Sequence, residues 1–564
     1  MGVTPSEGVR LKPRWRKAVH VSELASGHMA IRALRTAGIE HLFTLSGGHL
    51  FPLYDGCRHE GVRIIDTRHE QAATFAAEGF AKLTRRPQVA ALTAGPGVTN
   101  GMSAIATARF NGSPVLVVGG RAPQATWGKG NLQELDHVAF LGPLTKFART
   151  ATDPAAVAGD VLAGLRAAAS AHRGPAFVDI PLDVIFAPIS EEQLPGWSEP
   201  EALPVDTEAL ARAADALASA ERPVLIAGTD VWLGVAEAAL HELAETAQLP
   251  VLANGMGRGL LPADHPLSFS RARGAAMKHA DLVMVAGTPL DFRLGFGRFG
   301  AARVVHLADS PEGVAGHVEL AAGVGGELTT ALRGLANAVG GPVGDRADSR
   351  AAWLARLESA EAAQRHTDEQ QLQADAYPIH PARVYGELRR VLDRDAVVIG
   401  DGGDFVSFAG RFVDSFTPGA WLDPGPYGCL GTGLGYAAAA RLARPGEQVC
   451  LLLGDGAAGF GLLDVDTLVR HQLPVVMVVG NNGIWALEKY PMQAIYGGWD
   501  VAADLQPGVR YDHVVRALGG AGETVEEASD LGPALQRGFR SGVPYLINVM
   551  TDPSVAYPRT TALA

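Results

Sequence analysis

The chain has 564 residues and a formal net charge of −12, with 47% hydrophobic and 19% charged residues. This length exceeds what a single hydrophobic core supports, so we expect about three domains. The acidic balance argues against a nucleic-acid surface, and no apolar run reaches the roughly 18 residues of a membrane-spanning helix. The three widely spaced cysteines, Cys57, Cys429 and Cys450, are typical of reduced thiols in a cytoplasmic protein and indicate neither disulfides nor a zinc site.

Strand-like apolar runs alternate with helix-like segments in three blocks of the chain. This alternation predicts α/β domains with doubly wound parallel sheets, because a helix between two strands returns the chain to the same edge of the sheet. The predicted domains are residues 18–186, 205–340 and 377–554. The remaining segments are an N-terminal arm, two polar connections and a C-terminal tail, at residues 1–17, 187–204, 341–376 and 555–564.

The first block begins with a glycine turn, Leu45-Ser46-Gly47-Gly48-His49. A histidine in such a turn can donate a hydrogen bond or move a proton near neutral pH, or it can simply bond to the turn backbone. The sequence leaves both interpretations of His49 open.

Glu70 follows the apolar run Ile64-Ile65 and precedes an alanine-rich helix. The helix dipole favours an acid at this position, so Glu70 alone does not indicate catalysis. A tight turn at Ala94-Gly95-Pro96-Gly97 and a loop at Asn131-Leu132-Gln133-Glu134 follow at the same predicted edge.

In the second block, Arg293 lies in the segment Pro289–Gly297, and Asp309 follows the apolar run Val304–Leu307. Asp309 could bond a ribose hydroxyl, but an acid at the end of a strand is also a common helix cap.

The third block carries the pattern that best indicates chemistry. Gly454-Asp455-Gly456 follows one strand-like run, and Asn481-Asn482 follows the next. At the carboxyl ends of two parallel strands, the Asp and Asn side chains can meet at one hard cation, and Mg²⁺ prefers such oxygen ligands. Glycines allow a phosphate to approach the backbone closely at a helix N-terminus. The pattern therefore predicts a magnesium and diphosphate site; the alternative is a structural turn without a ligand.

Together these motifs resemble the signature of thiamine diphosphate (ThDP) enzymes, the superfamily of the decarboxylases, acetolactate synthases, benzaldehyde lyase and 2-hydroxyacyl-CoA lyases. The resemblance covers nearly the whole chain after residue 18. It implies ThDP and Mg²⁺ as cofactors and three domains: pyrimidine-binding, central and diphosphate-binding. It also implies a homodimer or homotetramer, in which the first domain of one subunit and the third domain of another share each cofactor.

The resemblance also assigns roles to individual residues. Glu70 would bond N1′ of the aminopyrimidine and promote the imino tautomer that removes the C2 proton. Asp455, Asn482 and the carbonyl of Ile484 would bind the metal, and Leu430 would lie under the thiamine ring. The other expected cofactor contacts are Gly402, Gly403, Asp404 through its backbone, Cys429, Gly454, Gly456, Ala457, Ala458 and Trp485.

For the substrate, the resemblance implies that His49 and Gln133 face the reacting carbon. Glu488 would exchange a proton with the substrate as a partly buried carboxylate, or it is a solvent-facing acid paired with Lys489 or another neighbour. The predicted pocket is completed by Gly48, Phe110, Leu132 and Leu487. In the central domain, where relatives hold ADP, a coenzyme A nucleotide or FAD, the candidate contacts are Arg293 and Asp309.

We therefore expect a ThDP- and Mg²⁺-dependent carbon–carbon lyase or carboligase. Our first interpretation is a 2-hydroxyacyl-CoA lyase that forms formyl-CoA and an aldehyde or ketone, and also catalyses the reverse acyloin condensation. The alternative is an acetolactate synthase that condenses two pyruvates. A flavin-linked 2-oxo acid oxidase lacks a clear flavin segment here, and intact Glu70, Asp455 and Asn482 argue against a non-catalytic paralogue.

Overall fold

The computed structural model describes residues 24–189, 196–339 and 346–558. The arm predicted at residues 1–17 lies outside this range, and so does most of the predicted tail. Within the described residues, the strands form three large parallel sheets and one two-stranded antiparallel pair. The prediction of three α/β domains with parallel sheets is thus confirmed.

The first domain is built on six parallel strands. Its strands, with the flanking antiparallel pair of β1 and β8, are β1 (Leu24–Ala25), β2 (His41–Thr44), β3 (Arg63–Asp66), β4 (Gln88–Leu92), β5 (Val115–Arg121), β6 (Phe147–Thr150), β7 (Ala176–Pro181) and β8 (Pro188–Ile189). Its helices are α1 (Ser26–Thr36), α2 (Phe51–Glu60), α3 (Glu70–Thr84), α4 (Pro96–Asn100), α5 (Met102–Asn111), α6 (His137–Leu141), α7 (Val157–Ala169) and α8 (Leu182–Ile185). The parallel strands lie in the order β3-β2-β4-β5-β7-β6.

The central domain has five parallel strands. They are β9 (Pro223–Ala227), β10 (Val251–Ala253), β11 (Leu282–Ala286), β12 (Arg303–Ala308) and β13 (Ala322–Gly325), in the order β10-β9-β11-β12-β13. The helices are α9 (Thr207–Ser219), α10 (Thr229–Leu233), α11 (Glu237–Ala247), α12 (Arg273–His279) and α13 (Leu328–Val339).

The polar segment predicted as a connection contains the long helix α14 (Ala347–Leu372), which packs on the central domain. The Arg350 guanidinium donates to the carbonyls of Leu217 and Ala247, and the Trp353 indole donates to that of Pro223. Two of these carbonyls lie in the last turns of α9 and α11, and the third begins β9, so α14 is fixed to three elements of the central domain. The helix thus carries the chain from the second sheet to the third.

The third domain repeats the strand order of the first. Its strands are β14 (Val397–Asp401), β15 (Trp421–Leu422), β16 (Val449–Gly454), β17 (Val476–Asn481), β18 (Ala521–Val525) and β19 (Tyr545–Met550), in the order β15-β14-β16-β17-β19-β18. The helices are α15 (Pro381–Val391), α16 (Asp404–Phe412), α17 (Gly433–Ala443), α18 (Asp455–Gly461), α19 (Val465–Arg470), α20 (Ala486–Ile495), α21 (Tyr511–Ala517) and α22 (Leu531–Arg540). The chain reverses its winding between β14 and β16, and ligands of such sheets bind at that point.

Helices α3 and α17 join the first domain to the third. A Cβ atom on Gly435 would lie 2.7 Å from the Cβ of Phe75, so glycine is needed for this close approach. Between the helices, the fully buried Glu78 accepts hydrogen bonds from the Tyr436 hydroxyl (2.9 Å) and the Asn111 amide (2.8 Å). Because α3 begins at Glu70 and α17 begins just after Leu430, this packing positions both predicted site residues.

Among the described residues, no helix is both long and apolar enough to cross a membrane.

Candidate active site

The predicted metal ligands meet at the carboxyl ends of β16 and β17. The buried Asp455 accepts backbone N–H bonds from Gly456 (2.8 Å), Asn482 (3.1 Å) and Gly483 (2.6 Å). The Asn482 side-chain oxygen accepts the Ile484 N–H at 3.1 Å. Burial raises the pKa of Asp455 above its usual 3.8, and the bonds from Gly483, Gly456 and Asn482 oppose this rise. The arrangement places a carboxylate and an amide oxygen at the ends of two adjacent strands, a donor set that suits a hard cation.

Glycine turns surround this acid. Gly402 has a φ of 139°, and a Cβ atom there would lie 3.1 Å from the Gly454 nitrogen. Above Gly454 a Cβ atom would meet nothing within 4 Å, whereas at Gly456 it would strike the Trp485 ring at 2.4 Å. The chain thus leaves space for a ligand on Gly454 while Trp485 covers the next residue. Ala457 and Ala458 are buried in the first turn of α18.

The diphosphate loop after β14 includes an acid whose position the structure explains. The carboxylate of the buried Asp404 accepts the Tyr557 backbone N–H at 2.8 Å. Leu487 packs on the other side of the loop, where a Cβ atom on Gly403 would lie 2.5 Å from Leu487 Cδ1. Asp404 is therefore engaged by the C-terminal segment, which leaves the loop backbone as the surface available to a diphosphate.

Glu70 is the first residue of α3 and is only 7% exposed. One carboxylate oxygen accepts the Asn100 side-chain amide at 3.1 Å. The preceding residue, His69, caps the helix by accepting the Gln71 N–H at 3.1 Å. A Cβ atom on Gly97 would come within 3.5 Å of the other Glu70 oxygen. The Ala94–Gly97 turn predicted beside this edge therefore makes room for the carboxylate.

The loop before α17 is held from two domains. The Gln71 side chain donates to the Leu430 carbonyl at 3.3 Å. The buried Asp401 accepts the N–H groups of Gly431 (3.0 Å) and Gly433 (2.8 Å), and burial raises the pKa of this carboxyl to about 7. Cys429 is half-buried, and burial raises the pKa of its thiol. We did not predict the role of Asp401 from the sequence, although it closes a strand of the predicted site.

His49 is buried and its Nδ1 lies 3.1 Å from the Thr93 hydroxyl. Burial, with a smaller contribution from His137, lowers the pKa of His49 below 6.5, so the ring is neutral at pH 7. Its neighbour Gly48 is exposed, and a Cβ atom there would meet nothing within 4 Å. Sequence analysis left a backbone-bonded turn histidine open; the structure instead pairs His49 with a side chain.

A buried polar chain that sequence reasoning missed supports this edge of the sheet. His137 Nε2 accepts the Gly95 N–H at 3.0 Å, and its Nδ1 lies 3.0 Å from Asp179 Oδ2. The same Asp179 oxygen accepts from Arg121 at 3.0 Å. Since Gly95 has a φ of 58°, the chain holds a turn that only glycine adopts readily. No motif connects His137 with Asp179 in the sequence.

The residues predicted to contact the substrate lie in different surroundings. Gln133 lies against the Ala94–Gly97 turn, where a Cβ atom on Gly95 would lie 2.9 Å from Gln133 Cβ. Leu132 is 81% exposed in the single chain, so it lines no enclosed pocket there. Phe110 stacks on Tyr427 at 5.1 Å and borders the cavity of the central domain. Of this set, only Gln133 joins the turn beside Glu70.

Glu488 lies on α20 with its side chain exposed in the single chain, which differs from the expected partly buried carboxylate and agrees with the solvent-facing alternative. Lys489, the partner named first for that alternative, bonds Asp500 (2.9 Å) and Asp504 (2.7 Å) instead. Proline inside the helix, Pro491, removes one backbone donor, and the residues around it are largely accessible. This edge of the candidate site is therefore open to solvent in the single chain.

The central-domain candidates both have protein partners. Arg293 makes a two-point pair with Asp291, with contacts of 2.7–3.1 Å. Asp309 accepts from His172 Nδ1 at 2.9 Å. Asp309 is not a helix cap either, since Ser310 accepts the Gly313 N–H of the following turn.

Comparisons with known proteins agree with this arrangement. Three sequence models match: the N-terminal TPP binding domain of thiamine pyrophosphate enzymes at residues 25–140, their central domain at 210–335 and their C-terminal TPP binding domain at 401–549. The chain is 54% identical to a probable acetolactate synthase of Mycobacterium bovis and to an acetolactate synthase large subunit of Mycobacterium tuberculosis, over 96% of this chain and 98% of each relative. It is 31% identical to the 2-hydroxyacyl-CoA lyase 2 of Homo sapiens, over 93% of this chain and 89% of that protein.

The fold and these matches define the class: a three-domain enzyme that uses thiamine diphosphate. The chain belongs to the thiamine pyrophosphate enzyme family. The site is consistent with this membership, because the buried Asp455 carboxylate accepts hydrogen bonds from three backbone N–H groups and adjoins Gly454, where an added Cβ atom would meet nothing within 4 Å in the described part of the chain.

Proposed function

We propose that this enzyme is a carboligase that forms acetolactate from two molecules of pyruvate. The observation that carries the proposal is the 54% identity, over nearly the whole of both chains, to relatives named acetolactate synthase. This reverses the order of our interpretations from the sequence, where cleavage of a 2-hydroxyacyl-CoA came first. The lyases match at 30–33% identity.

The proposed reaction balances without an oxidant. Two pyruvate anions and one proton give one acetolactate anion and carbon dioxide: one C1–C2 bond breaks, and a new carbon–carbon bond forms between the two carbonyl carbons. When bound, ThDP supplies a nucleophilic carbon that accepts the acyl unit and stabilises its charge. The protein needs to hold the cofactor, exclude water and manage single protons.

The chain offers a residue for each of these tasks. Asp455, the Asn482 side chain and the Ile484 carbonyl would bind Mg²⁺ and, through it, the diphosphate. The buried Glu70 carboxyl would bond the aminopyrimidine and shift its proton equilibrium. Neutral His49, oriented by Thr93, and the amide of Gln133 would donate to the substrate oxygens.

The active form is proposed to be a homodimer or larger. Aromatic and aliphatic side chains near the α3–α17 junction are exposed in the single chain; they are Phe110 (53%), Tyr427 (46%), Phe460 (57%) and Leu463 (63%). Exposed apolar groups of this size commonly mark a protein contact. A second copy of the chain would cover them and would bring another Glu70 towards each diphosphate loop.

One observation favours the lyase as a second candidate. A cleft of about 720 Å³ between the central domain and the loop at Gly402 is lined by arginines. They are Arg258, Arg271, Arg273, Arg293 and Arg411. Arg271, Arg293 and Arg411 pair with aspartates, whereas Arg258 and Arg273 donate to backbone carbonyls. Two cations without a carboxylate partner among the described residues favour a substrate with more than one negative charge, such as a coenzyme A thioester. A pyruvate carries only one charge.

The deciding experiment is a product analysis by mass spectrometry with ThDP, Mg²⁺ and either pyruvate or a 2-hydroxyacyl-CoA. Acetolactate from pyruvate would support the proposal. Formyl-CoA from the thioester, with pyruvate left unconsumed, would replace it by the second candidate. A ThDP-loaded protein that converts neither substrate would refute both.

A further inference from the structure

The crevice of the central sheet is the place where a nucleotide would be expected. The sheet changes its winding direction between β9 and β11, and ligands of doubly wound sheets bind outside the carboxyl ends of the strands at that point. A diphosphate there normally contacts glycine backbone at a helix N-terminus. FAD or ADP in the central domain is what the resemblance to acetolactate synthases and acyl-CoA lyases implies.

In this chain an acid stands at that position. Asp230 lies in the first turn of α10, directly after β9, and is only 7% exposed. Its helix has five residues, so the dipole that attracts a phosphate is short. Burial raises the pKa of Asp230 to about 7, and the charge of His172 opposes this rise; the ionised carboxylate paired with His172 would repel a phosphate. The acid therefore stands at the helix N-terminus where a diphosphate would otherwise bind the backbone.

A histidine from the first domain closes the crevice over this acid. His172 Nδ1 lies 2.9 Å from Asp309 Oδ1 and 3.7 Å from Asp230 Oδ2. The Asp230 carboxylate raises the pKa of His172 to about 9, so the ring is a cation at neutral pH. A Cβ atom on Gly112 would lie 2.8 Å from His172 Cε1, so the ring packs on Gly112, while 35% of the His172 side chain stays exposed. The adjacent Arg173 contacts Asp309 at 3.6 Å.

Other polar groups of the crevice are already used within the protein. Arg293 pairs with Asp291 at 2.7 Å, and the Thr288 hydroxyl accepts the Asn254 amide at 3.1 Å. The Thr229 hydroxyl accepts the Met256 N–H at 3.3 Å. The space beside these groups measures about 220 Å³ and shares Arg293 with the larger arginine-lined cleft.

We infer that the central crevice is a closed contact between domains, sealed by His172 against Asp230 and Asp309, and that it binds neither FAD nor ADP. The residues present do not fit the nucleotide that the fold family implies. The charge is balanced internally, since His172 and Arg173 face two carboxylates. The enzyme then uses ThDP without a flavin, whichever of the two proposed reactions it catalyses.

The test uses the full-length holoenzyme with ThDP and Mg²⁺. Flavin released by denaturation is measured by absorbance, and FAD and ADP are each titrated by calorimetry. We expect no co-purified flavin and no saturable binding tighter than about 1 mM. Deuterium exchange of the peptides covering residues 228–232 and 287–293 is followed with each ligand. Stoichiometric flavin, or saturable binding that protects these peptides, would overturn the inference; binding without such protection lies elsewhere and leaves it standing.

A pair of variants tests the seal itself. His172→Ala should remove the charged ring that faces the carboxylates of Asp230 and Asp309. Limited proteolysis should then cleave residues 196–204 about tenfold faster, because the cleavage rate reports local opening. The matched control is Arg394→Ala, which breaks the interdomain ion pair with Asp264 at 2.9 Å between two side chains that are about 60% exposed. Exposed pairs contribute little. Equal effects of the two variants would show that His172 seals nothing. ThDP affinity, measured in parallel, reports on the proposed function separately.

Discussion

The side-chain amide of Gln71 donates a hydrogen bond of 3.3 Å to the carbonyl of Leu430. These residues lie in different domains. Gln71 follows Glu70 at the start of α3, and Leu430 is the residue expected under the thiamine ring. The bond therefore ties the helix that carries Glu70 to the loop that would shape a cofactor, on the same α3–α17 junction that Glu78 stabilises.

Gln71→Met should weaken ThDP binding without unfolding the protein. Methionine keeps the length of the side chain but cannot donate, and one neutral hydrogen bond contributes about 1 kcal/mol, or roughly fivefold in affinity. The measurement is ThDP affinity from quenching of tryptophan fluorescence. The control is Gln373→Met, at the exposed end of α14. If both variants bind ThDP like the parent, the bond does not orient the Leu430 loop.

Glu70→Gln should reduce turnover by about 10²–10⁴-fold, the usual contribution of a positioned acid–base group. The amide fills the same space and keeps the contact with Asn100, so the melting temperature should change little. The control is Glu208→Gln, an exposed acid in the first turn of α9. That variant loses only the helix-dipole effect. If the two variants have similar activity, Glu70 is an acid favoured by the helix dipole and has no catalytic role.

Asp455→Ala should remove the dependence of ThDP binding on Mg²⁺. The loss of a carboxylate ligand should weaken Mg²⁺-supported ThDP binding at least tenfold, or about 1.4 kcal/mol. Calorimetry with and without Mg²⁺ measures this. Asp464→Ala is a suitable control, because Asp464 is also buried and accepts from the Arg68 N–H and the Thr467 hydroxyl. Full Mg²⁺-dependent binding by the Asp455 variant would exclude it as a ligand.

Glu488→Gln distinguishes the two proposed reactions. The side chain is exposed, and acetolactate formation requires no carboxylate at that position, so turnover of pyruvate should remain within about twofold. If the enzyme cleaves 2-hydroxyacyl-CoA and Glu488 exchanges the proton, cleavage should instead fall by about 10²-fold or more. Both rates are measured on one preparation. A large loss of turnover with pyruvate would contradict the expectation that Glu488 has no role in acetolactate formation.

Activity should fall in acid as His49 becomes protonated. Burial places the pKa of His49 below 6.5, so the neutral ring persists at pH 7 and is lost only below its usual titration range. Between the folded and unfolded pKa values the unfolded chain binds more protons, so the stability from neutral His49 is lost as pH falls below 6.5. The pH profile of kcat/KM should lose its acid limb in His49→Asn. The control is His59→Asn, because His59 is exposed. If the acid limb is unchanged in the His49 variant, another group causes the fall of activity in acid.

Sequence pattern alone predicted the three parallel sheets and the position of the Gly454-Asp455-Gly456 turn at the end of a strand. Parallel strands are covered on both faces, so β5, β11 and β16 appear as continuous apolar runs. The Asp455 and Asn482 pairing was readable because both residues follow adjacent strands of one sheet. The half-exposed edge strand β6, Phe147–Thr150, has no such run and was missed.

Only the tertiary structure brought together residues that no local pattern relates. His137 and Asp179 are 42 residues apart, and His172 meets Asp309 across 137 residues and two domains. Their contacts depend on how sheets and connecting loops pack, which spacing along the chain does not determine. The exposure of a side chain also depends on the tertiary structure. Glu488 and Leu132 lie in segments whose sequence suits a pocket, yet both are exposed to solvent in the single chain. Local chemistry is encoded in short motifs, whereas burial and long-range pairing arise from the assembled domains.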